Sequence, residues 1–192
     1  ELRGGGSGAW RGLTLLGVRV DATSGDPILP ERTIGWTGAD LVVARTDLVG
    51  RLGAEAMEAL AGHVLGGGTL ALVVARPEDL RSPRIVALLG GESQQASASP
   101  LQRAPLPVAL PSYGDPTVPR TPPPVPAPKE ETRLAGWVGG NLAPSPYGAS
   151  AAYGLGEVVL LGFDPDDPAT ISDPFIQARV MDLARRGFDR RA

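Results

Sequence analysis

The segment from Gly38 to Ala75 constrains the fold most, because it predicts a strand, a helix and a second strand in succession. Leu41 to Ala44 and Thr69 to Ala75 are short, almost continuous apolar runs, which are typical of strands covered on both faces of a parallel sheet. Between these runs, apolar residues recur at helical spacing and predict one buried stripe: Ala54, Met57, Leu60, Ala61, Val64 and Leu65. The glycines at 66–68 end this helix. Two buried strands joined by a helix predict a right-handed βαβ crossover.

The remaining segments predict more elements of one α/β domain. Apolar residues between Leu13 and Val20 indicate a strand, and a short helix begins at Pro83. The turn Gly154-Leu155-Gly156 predicts a β-hairpin between two apolar strands. A last helix begins after Asp173, its predicted cap, and ends at Gly187. The sequence therefore predicts a three-layer α/β sandwich with a mostly parallel central sheet and a C-terminal β-hairpin and helix.

The domain organisation follows from two segments of unusual composition. Residues 1–8 are rich in glycine and predict a flexible lead-in, so that residues 9–192 form a single α/β domain. At about 100–128 the chain carries eleven of its 20 prolines, which exclude a helix or a central strand. We interpret this segment as a proline-rich insertion in the domain, and a docking site for a proline-recognising partner is the alternative.

Composition removes several classes of function. The chain has no cysteine, which excludes a thiolate nucleophile, thiolate–zinc sites and disulfides, and which fits an exported protein. A net charge of −3 without a basic block argues against nucleic acid as a partner. No stretch approaches the roughly 20 apolar residues of a membrane span. The first residue is Glu1, so we expect the chain to be a piece of a longer protein.

Candidate chemistry lies at the predicted carboxyl ends of two strands, where open α/β sheets place their ligands. Asp164, Asp166 and Asp167 follow the last strand, and hard cations such as calcium bind clustered carboxylates. Their spacing does not match a calcium loop, and an ordinary polar turn is the alternative. After the strand ending at Ala75, Arg76, Glu78 and Asp79 are the candidate ligand-binding residues, together with Asp164. This loop lacks the glycines that cradle phosphate groups.

Other residues are assigned structural roles. His63 is the only histidine, and its place off the apolar stripe predicts that it faces solvent, as do Glu55 and Glu58. Trp36 and Trp137 are predicted as core residues, with pocket lining as the alternative. No phosphate loop is evident, so we expect no cofactor, and a flavin or nucleotide is the least supported ligand.

Three stretches carry a resemblance to a known family: Leu29-Pro30 followed by GADLVVARTDL, then EAMEALAGHVLGGGTLALVV, and YGLGEVVLLGFDPDD before the final helix. They resemble the class I glutamine amidotransferase-like (flavodoxin-like) domains, especially the non-catalytic branch found in bacterial membrane-anchored envelope proteins. Active relatives place a cysteine after the strand that matches Thr69 to Ala75, and a histidine and a glutamate near the end of the chain. Here the matching turn reads Ala75-Arg76-Pro77, and no histidine follows His63. None of the three catalytic positions carries over.

The resemblance implies a non-catalytic module of a larger bacterial envelope protein, with a structural role or a binding role toward a protein or a small ligand. Its partners would be another protein or other domains of the parent chain, and its location would be extracytoplasmic, with the cytoplasm as the alternative. The rival hypothesis is a metal-dependent hydrolase that uses carboxylates at the carboxyl edge of the sheet. The two differ in whether Glu78, Asp164, Asp166 and Asp167 converge within one pocket.

Overall fold

The computed structural model describes residues 18–100, 133–145, 148–167, 170 and 173–191. These ranges contain nine strands and four α-helices, with 3-10 turns at Thr33–Trp36 and Pro77–Arg81. The strands are β1 (Arg19–Val20), β2 (Pro27–Ile28), β3 (Leu41–Arg45), β4 (Thr69–Val73), β5 (Ser93–Pro100), β6 (Arg133–Gly139), β7 (Ala143–Ser145), β8 (Gly148–Tyr153) and β9 (Gly156–Leu161). The helices are α1 (Thr46–Val49), α2 (Ala54–Leu65), α3 (Pro83–Leu89) and α4 (Pro174–Arg191).

The central sheet has five strands in the order β3-β4-β9-β8-β7. β3, β4 and β9 run parallel, whereas β8 runs antiparallel to β9 and β7 antiparallel to β8. The crossover β3–α2–β4 and the hairpin β8–β9 are both present. Gly154 turns the hairpin with a φ of 63°, a value that favours glycine.

The predicted mostly parallel, flavodoxin-like sandwich is wrong. The sheet is mixed, and β1–β2 and β5–β6 form two further antiparallel pairs outside it. The physical reason is that an apolar run reports burial on both faces, and it does not report the direction of the neighbouring strand. β9 illustrates this, since it pairs in parallel with β4 along one edge and antiparallel with β8 along the other.

Alternate residues of the central strands feed two separate apolar clusters. Leu70 and Leu72 of β4 pack in the cluster that contains Leu60 and Val64 of α2. Ala71 and Val73 pack in the other cluster, with residues of α4 that include Ile176 and Leu183. The period of two along a strand therefore places α2 and α4 against opposite faces of the sheet.

His63 does not face solvent as the sequence predicted. It is buried in α2, and its ring centroid lies 6.0 Å from that of Trp36. A Cβ atom at Gly68 would come within 2.1 Å of the His63 ring. The short connection after α2 therefore crosses directly beside the imidazole. The predicted solvent exposure of Glu55 and Glu58 is confirmed.

Helix α4 begins as predicted and ends later. The Asp173 carboxylate accepts a hydrogen bond from the backbone N–H of Phe175 at 2.9 Å, which caps the first turn. Gly187 does not end the helix, which continues to Arg191. A Cβ atom at Gly187 would lie 2.0 Å from the carbonyl oxygen of Asp40. Glycine is present because the helix crosses the amino end of β3 at close range.

Two predicted segments lie outside the described residues: the lead-in at 1–8 and the proline-rich insertion, of which only Pro100 is described, as the last residue of β5. The predicted strand from Leu13 is described only from Val18, where Arg19–Val20 form β1. Among the described helices, none is both long enough and apolar enough to cross a membrane.

Candidate functional site

The three parallel strands end side by side at one edge of the sheet. Arg45 of β3 pairs with Val73 of β4, and Val73 pairs with Leu161 of β9. The segments that follow these strands are therefore neighbours: α1 after β3, residues 74–81 after β4, and residues 162–167 after β9. This carboxyl edge contains every candidate residue that the sequence identified.

A buried hydroxyl group joins two of these segments. Thr46 is fully buried, and its Oγ1 donates a hydrogen bond to Oδ2 of Asp79 at 2.8 Å. The same Oγ1 accepts a hydrogen bond from the backbone N–H of Ala75 at 3.0 Å. Asp79 is only 13% exposed, and its Oδ1 lies 3.7 Å from Nε of Arg76. Both carboxylate oxygens of Asp79 thus face partners within the protein, and we call Thr46, Ala75 and Asp79 the Thr46 clamp.

Arg76 and Glu78 do not converge with the clamp into one pocket. The Arg76 side chain is 65% exposed. Glu78 lines a neighbouring concavity of about 550 Å³, together with Arg81 and Glu92. The floor of this concavity is the exposed face of the β5–β6 pair, where Gln94 is opposite Val138.

A second crevice, of about 290 Å³, lies between the segment after β4 and the segment after β9. We call it the edge crevice. Pro77 borders it from the segment after β4, and Asp164 borders it from the segment after β9. Gln95 and Trp137, from the β5–β6 pair, contribute to its wall. Trp137 is buried, and its Nε1 has no hydrogen-bond partner among the described residues. The segments after β4 and β9, which contain the predicted site residues, therefore do border one concavity. Of the predicted carboxylates, only Asp164 lines it.

Asp164 and Asp166 form a tight turn at the end of β9. Oδ1 of Asp164 accepts a hydrogen bond from the backbone N–H of Asp166 at 2.9 Å, and the N–H of Asp167 donates to the carbonyl of Asp164 at 3.2 Å. Asp166 and Asp167 are exposed. Within the described part of the chain, no group of three or more histidine, aspartate or glutamate residues is arranged to hold a metal ion. Local turn formation accounts for the arrangement of this sequence.

Arg45 and Asp47 belong to the same edge, although neither was among the residues predicted from the sequence. Nε of Arg45 donates to Oδ1 of Asp47 at 3.2 Å, and Arg45 also lines the edge crevice. This hydrogen bond and the charge of Asp47 raise the pKa of Arg45, and the carboxylates of Asp164 and Asp79 add to the effect. Partial burial by itself would raise the pKa of Asp47. The hydrogen bond and charge of Arg45, together with the Leu48 N–H and the charge of Arg51, outweigh burial and lower it.

The arrangement places one guanidinium and one carboxylate, Arg45 and Asp164, in the lining of a crevice whose other lining residues are mostly apolar. Such a site can bind a ligand that offers both polar and apolar contacts. The sequence signal for this site is the pair of opposite charges at i and i+2, Arg45 and Asp47, directly after the apolar run Leu41 to Ala44. Comparison of the chain with protein-family models, with curated proteins and with solved structures finds no match in any of the three.

Proposed function

We propose that the chain is a non-catalytic module, similar to the glutamine amidotransferase-like domains, of a larger bacterial envelope protein, and that it binds a partner at the edge crevice. The partner is a protein segment or a small ligand. The sequence resemblance supports the family and the extracytoplasmic location. The chemistry of the carboxyl edge supports binding.

The observation that carries this proposal is the Thr46 clamp. A catalytic carboxylate must be able to approach substrate, a nucleophile or a metal ion. In contrast, the oxygens of Asp79 face Thr46 and Arg76, and the Thr46 hydroxyl is used in two hydrogen bonds. The polar groups of the Thr46 clamp therefore hold α1 and the segment after β4 together. A rigid edge of this kind favours a preformed binding surface, because little ordering is required when the partner arrives.

Site-specific photocrosslinking tests the binding role. A photoreactive amino acid would replace Gln95, which lines the edge crevice, and in a matched control it would replace Glu58, which is exposed on α2. The proteins would be expressed in their parent chain and irradiated in the native cells. We expect one defined crosslinked product at position 95 and none at position 58. Equal labelling at both positions, or none at either, would contradict the proposal.

Turnover measurements test the rival hydrolase. The purified protein would be incubated with glutamine and with simple esters and amides, with and without added Mg²⁺, Mn²⁺, Zn²⁺ or Ca²⁺. We expect no product above the rate of a heat-inactivated sample. Turnover that requires a metal ion and disappears in Asp164→Asn, but persists in the exposed control Asp189→Asn, would establish the hydrolase and overturn the proposal.

A further inference from the structure

Two concavities of the carboxyl edge adjoin each other. The edge crevice and the concavity that contains Glu78, which we call the Glu78 concavity, share Pro77 and Gln95 in their linings. Ligand sites usually enclose about 300–1,000 Å³, and the Glu78 concavity, at about 550 Å³, lies within this range. The edge crevice, at about 290 Å³, lies at its lower limit. A ligand that continues past Pro77 and Gln95 into both concavities is therefore larger and more elongated than one confined to the edge crevice.

The two concavities differ in charge. In the edge crevice, Arg45 and Asp164 contribute one charge of each sign among mostly apolar lining residues. In the Glu78 concavity, Glu78 and Glu92 contribute two negative charges and Arg81 one positive charge, and all three residues are exposed. An elongated ligand with an apolar group at one end and a cationic group at the other therefore complements both concavities.

Each concavity also contains a buried polar group in its lining. Ser93, which is 8% exposed, lines the Glu78 concavity, and Trp137, which is 5% exposed, lines the edge crevice. Within the part of the chain that the structure describes, neither Oγ of Ser93 nor Nε1 of Trp137 has a hydrogen-bond partner. A buried polar group without a partner is costly, so an acceptor supplied by a ligand is favourable at both places. A peptide backbone offers one carbonyl acceptor in every residue.

We propose that the two concavities form one groove, and that this groove binds an extended peptide segment of a partner protein. The inference rests on the binding role proposed above, and it narrows the partner from a protein segment or a small ligand to an extended peptide. An apolar side chain of the peptide enters the edge crevice, and a lysine or arginine lies against Glu78 and Glu92. Backbone carbonyl groups of the peptide accept hydrogen bonds from Ser93 and Trp137.

Fluorescence anisotropy with defined peptides tests the occupant on the purified chain. The probes are fluorescein-labelled decapeptides of glycine and serine that carry one leucine and two lysines, with a different leucine–lysine spacing in each. We expect saturable binding for at least one spacing. The matched peptide with glutamates in place of the lysines should bind about fivefold more weakly, because exposed ion pairs contribute modestly. Absence of saturable binding at every spacing, or equal binding of the lysine and glutamate peptides, would overturn the proposal.

Variants without the carboxylates locate the bound peptide. Glu78→Gln/Glu92→Gln removes both negative charges from the Glu78 concavity, so it should abolish the preference for lysine over glutamate. The matched control, Glu55→Gln/Glu58→Gln, removes two exposed carboxylates from α2 and should keep this preference. All four positions are exposed, so we expect both variants to fold. A preference that survives in Glu78→Gln/Glu92→Gln would mean that the peptide binds elsewhere, and the proposal would be wrong.

Photocrosslinking separates this inference from the binding role itself. Arg81 is exposed and lines the Glu78 concavity, and it is not part of the lining of the edge crevice. With a photoreactive residue at position 81, we expect a product that contains the same partner segment as the product at position 95. Labelling at position 95 with no product at position 81 would leave the binding role intact and refute the extended groove. No product at either position would contradict both.

Discussion

Replacement of Thr46 by valine tests the clamp between β3 and β4. Valine has nearly the shape of threonine and retains its packing, but it lacks the hydroxyl group. The substitution removes a hydrogen bond to the Asp79 carboxylate and leaves the backbone N–H of Ala75 without its acceptor. A hydrogen bond to a charged group contributes about 1.5–3 kcal/mol, and a buried group left unpaired costs about 1–3 kcal/mol. Because water can reach Asp79 in part, we expect Thr46→Val to lower the free energy of unfolding by about 2–4 kcal/mol.

Urea denaturation followed by circular dichroism measures this loss. With an m-value of roughly 2–3 kcal/mol/M for a chain of this size, the midpoint should fall by about 1 M. Thr46→Ser is the matched control, because it keeps the hydroxyl and loses one buried methyl group, at a cost of about 1 kcal/mol. Arg76→Gln should change stability by less than about 0.5 kcal/mol, since the Arg76 side chain is mostly exposed and lies 3.7 Å from Asp79.

A double-mutant cycle separates the clamp from the general sensitivity of the site. Thr46→Val, Asp79→Asn and the double variant should show a coupling energy of about 0.5–3 kcal/mol, because the two side chains share one hydrogen bond. The reasoning is refuted if Thr46→Val costs no more than Thr46→Ser. Strict additivity in the cycle would refute it as well.

Three further predictions follow from packing and charge. Gly187→Ala should lower the urea midpoint of unfolding, although alanine is the better helix former, because the new methyl group would meet the Asp40 carbonyl. The exposed control Arg185→Ala should leave the midpoint unchanged. A Gly187→Ala variant that is more stable would contradict the close approach of α4 to Asp40. His63→Ala should cost about 2–4 kcal/mol in urea denaturation, whereas Glu58→Ala on the same helix should be nearly neutral; equal effects would mean that His63 is not a core residue. The pKa of Asp47 is lowered in the folded state, so the ionised carboxylate stabilises the protein above the ordinary aspartate pKa, and this contribution disappears as the pH falls through the lowered pKa. Asp47→Asn should therefore reduce the loss of stability between about pH 5 and pH 2. An unchanged dependence of stability on pH would count against the Arg45 interaction.

The βαβ unit could be predicted because each of its signals is local. Apolar runs locate β3 and β4, helical spacing locates α2, and Gly67, with a φ of 108°, follows the end of the helix. The predictions of the β8–β9 hairpin and of the start of α4 also depend on local residues, namely the turn residue Gly154 and the cap residue Asp173. Strand direction could not be obtained in this way. A run such as Val158 to Leu161 is apolar because both faces of the sheet are covered, and that requirement is the same beside a parallel or an antiparallel neighbour.

Gly187 and His63 show a second limit of sequence patterns. A glycine near the end of a helix commonly marks a stop, but at Gly187 it allows the helix to pass close to the Asp40 carbonyl, and the sequence contains nothing that separates the two uses. His63 lies off the apolar stripe of α2, yet Trp36 covers it from the preceding 3-10 turn. The burial of His63 depends on the 3-10 turn Thr33–Trp36, which lies outside α2 and therefore does not enter the helical periodicity.

The carboxyl edge could be located from the sequence, but the roles of its residues could not, because those roles depend on pairs far apart in the chain. Thr46 and Asp79 are separated by 33 positions and meet only because β3 and β4 lie side by side. Their contact converts Asp79 from a candidate ligand-binding residue into a structural one. Asp164 differs, since one of its oxygens holds a local turn and it also borders the edge crevice. We therefore expect that ligand contacts at this edge depend on Arg45 and Asp164, whereas substitutions at Asp79 act through the stability of the loop.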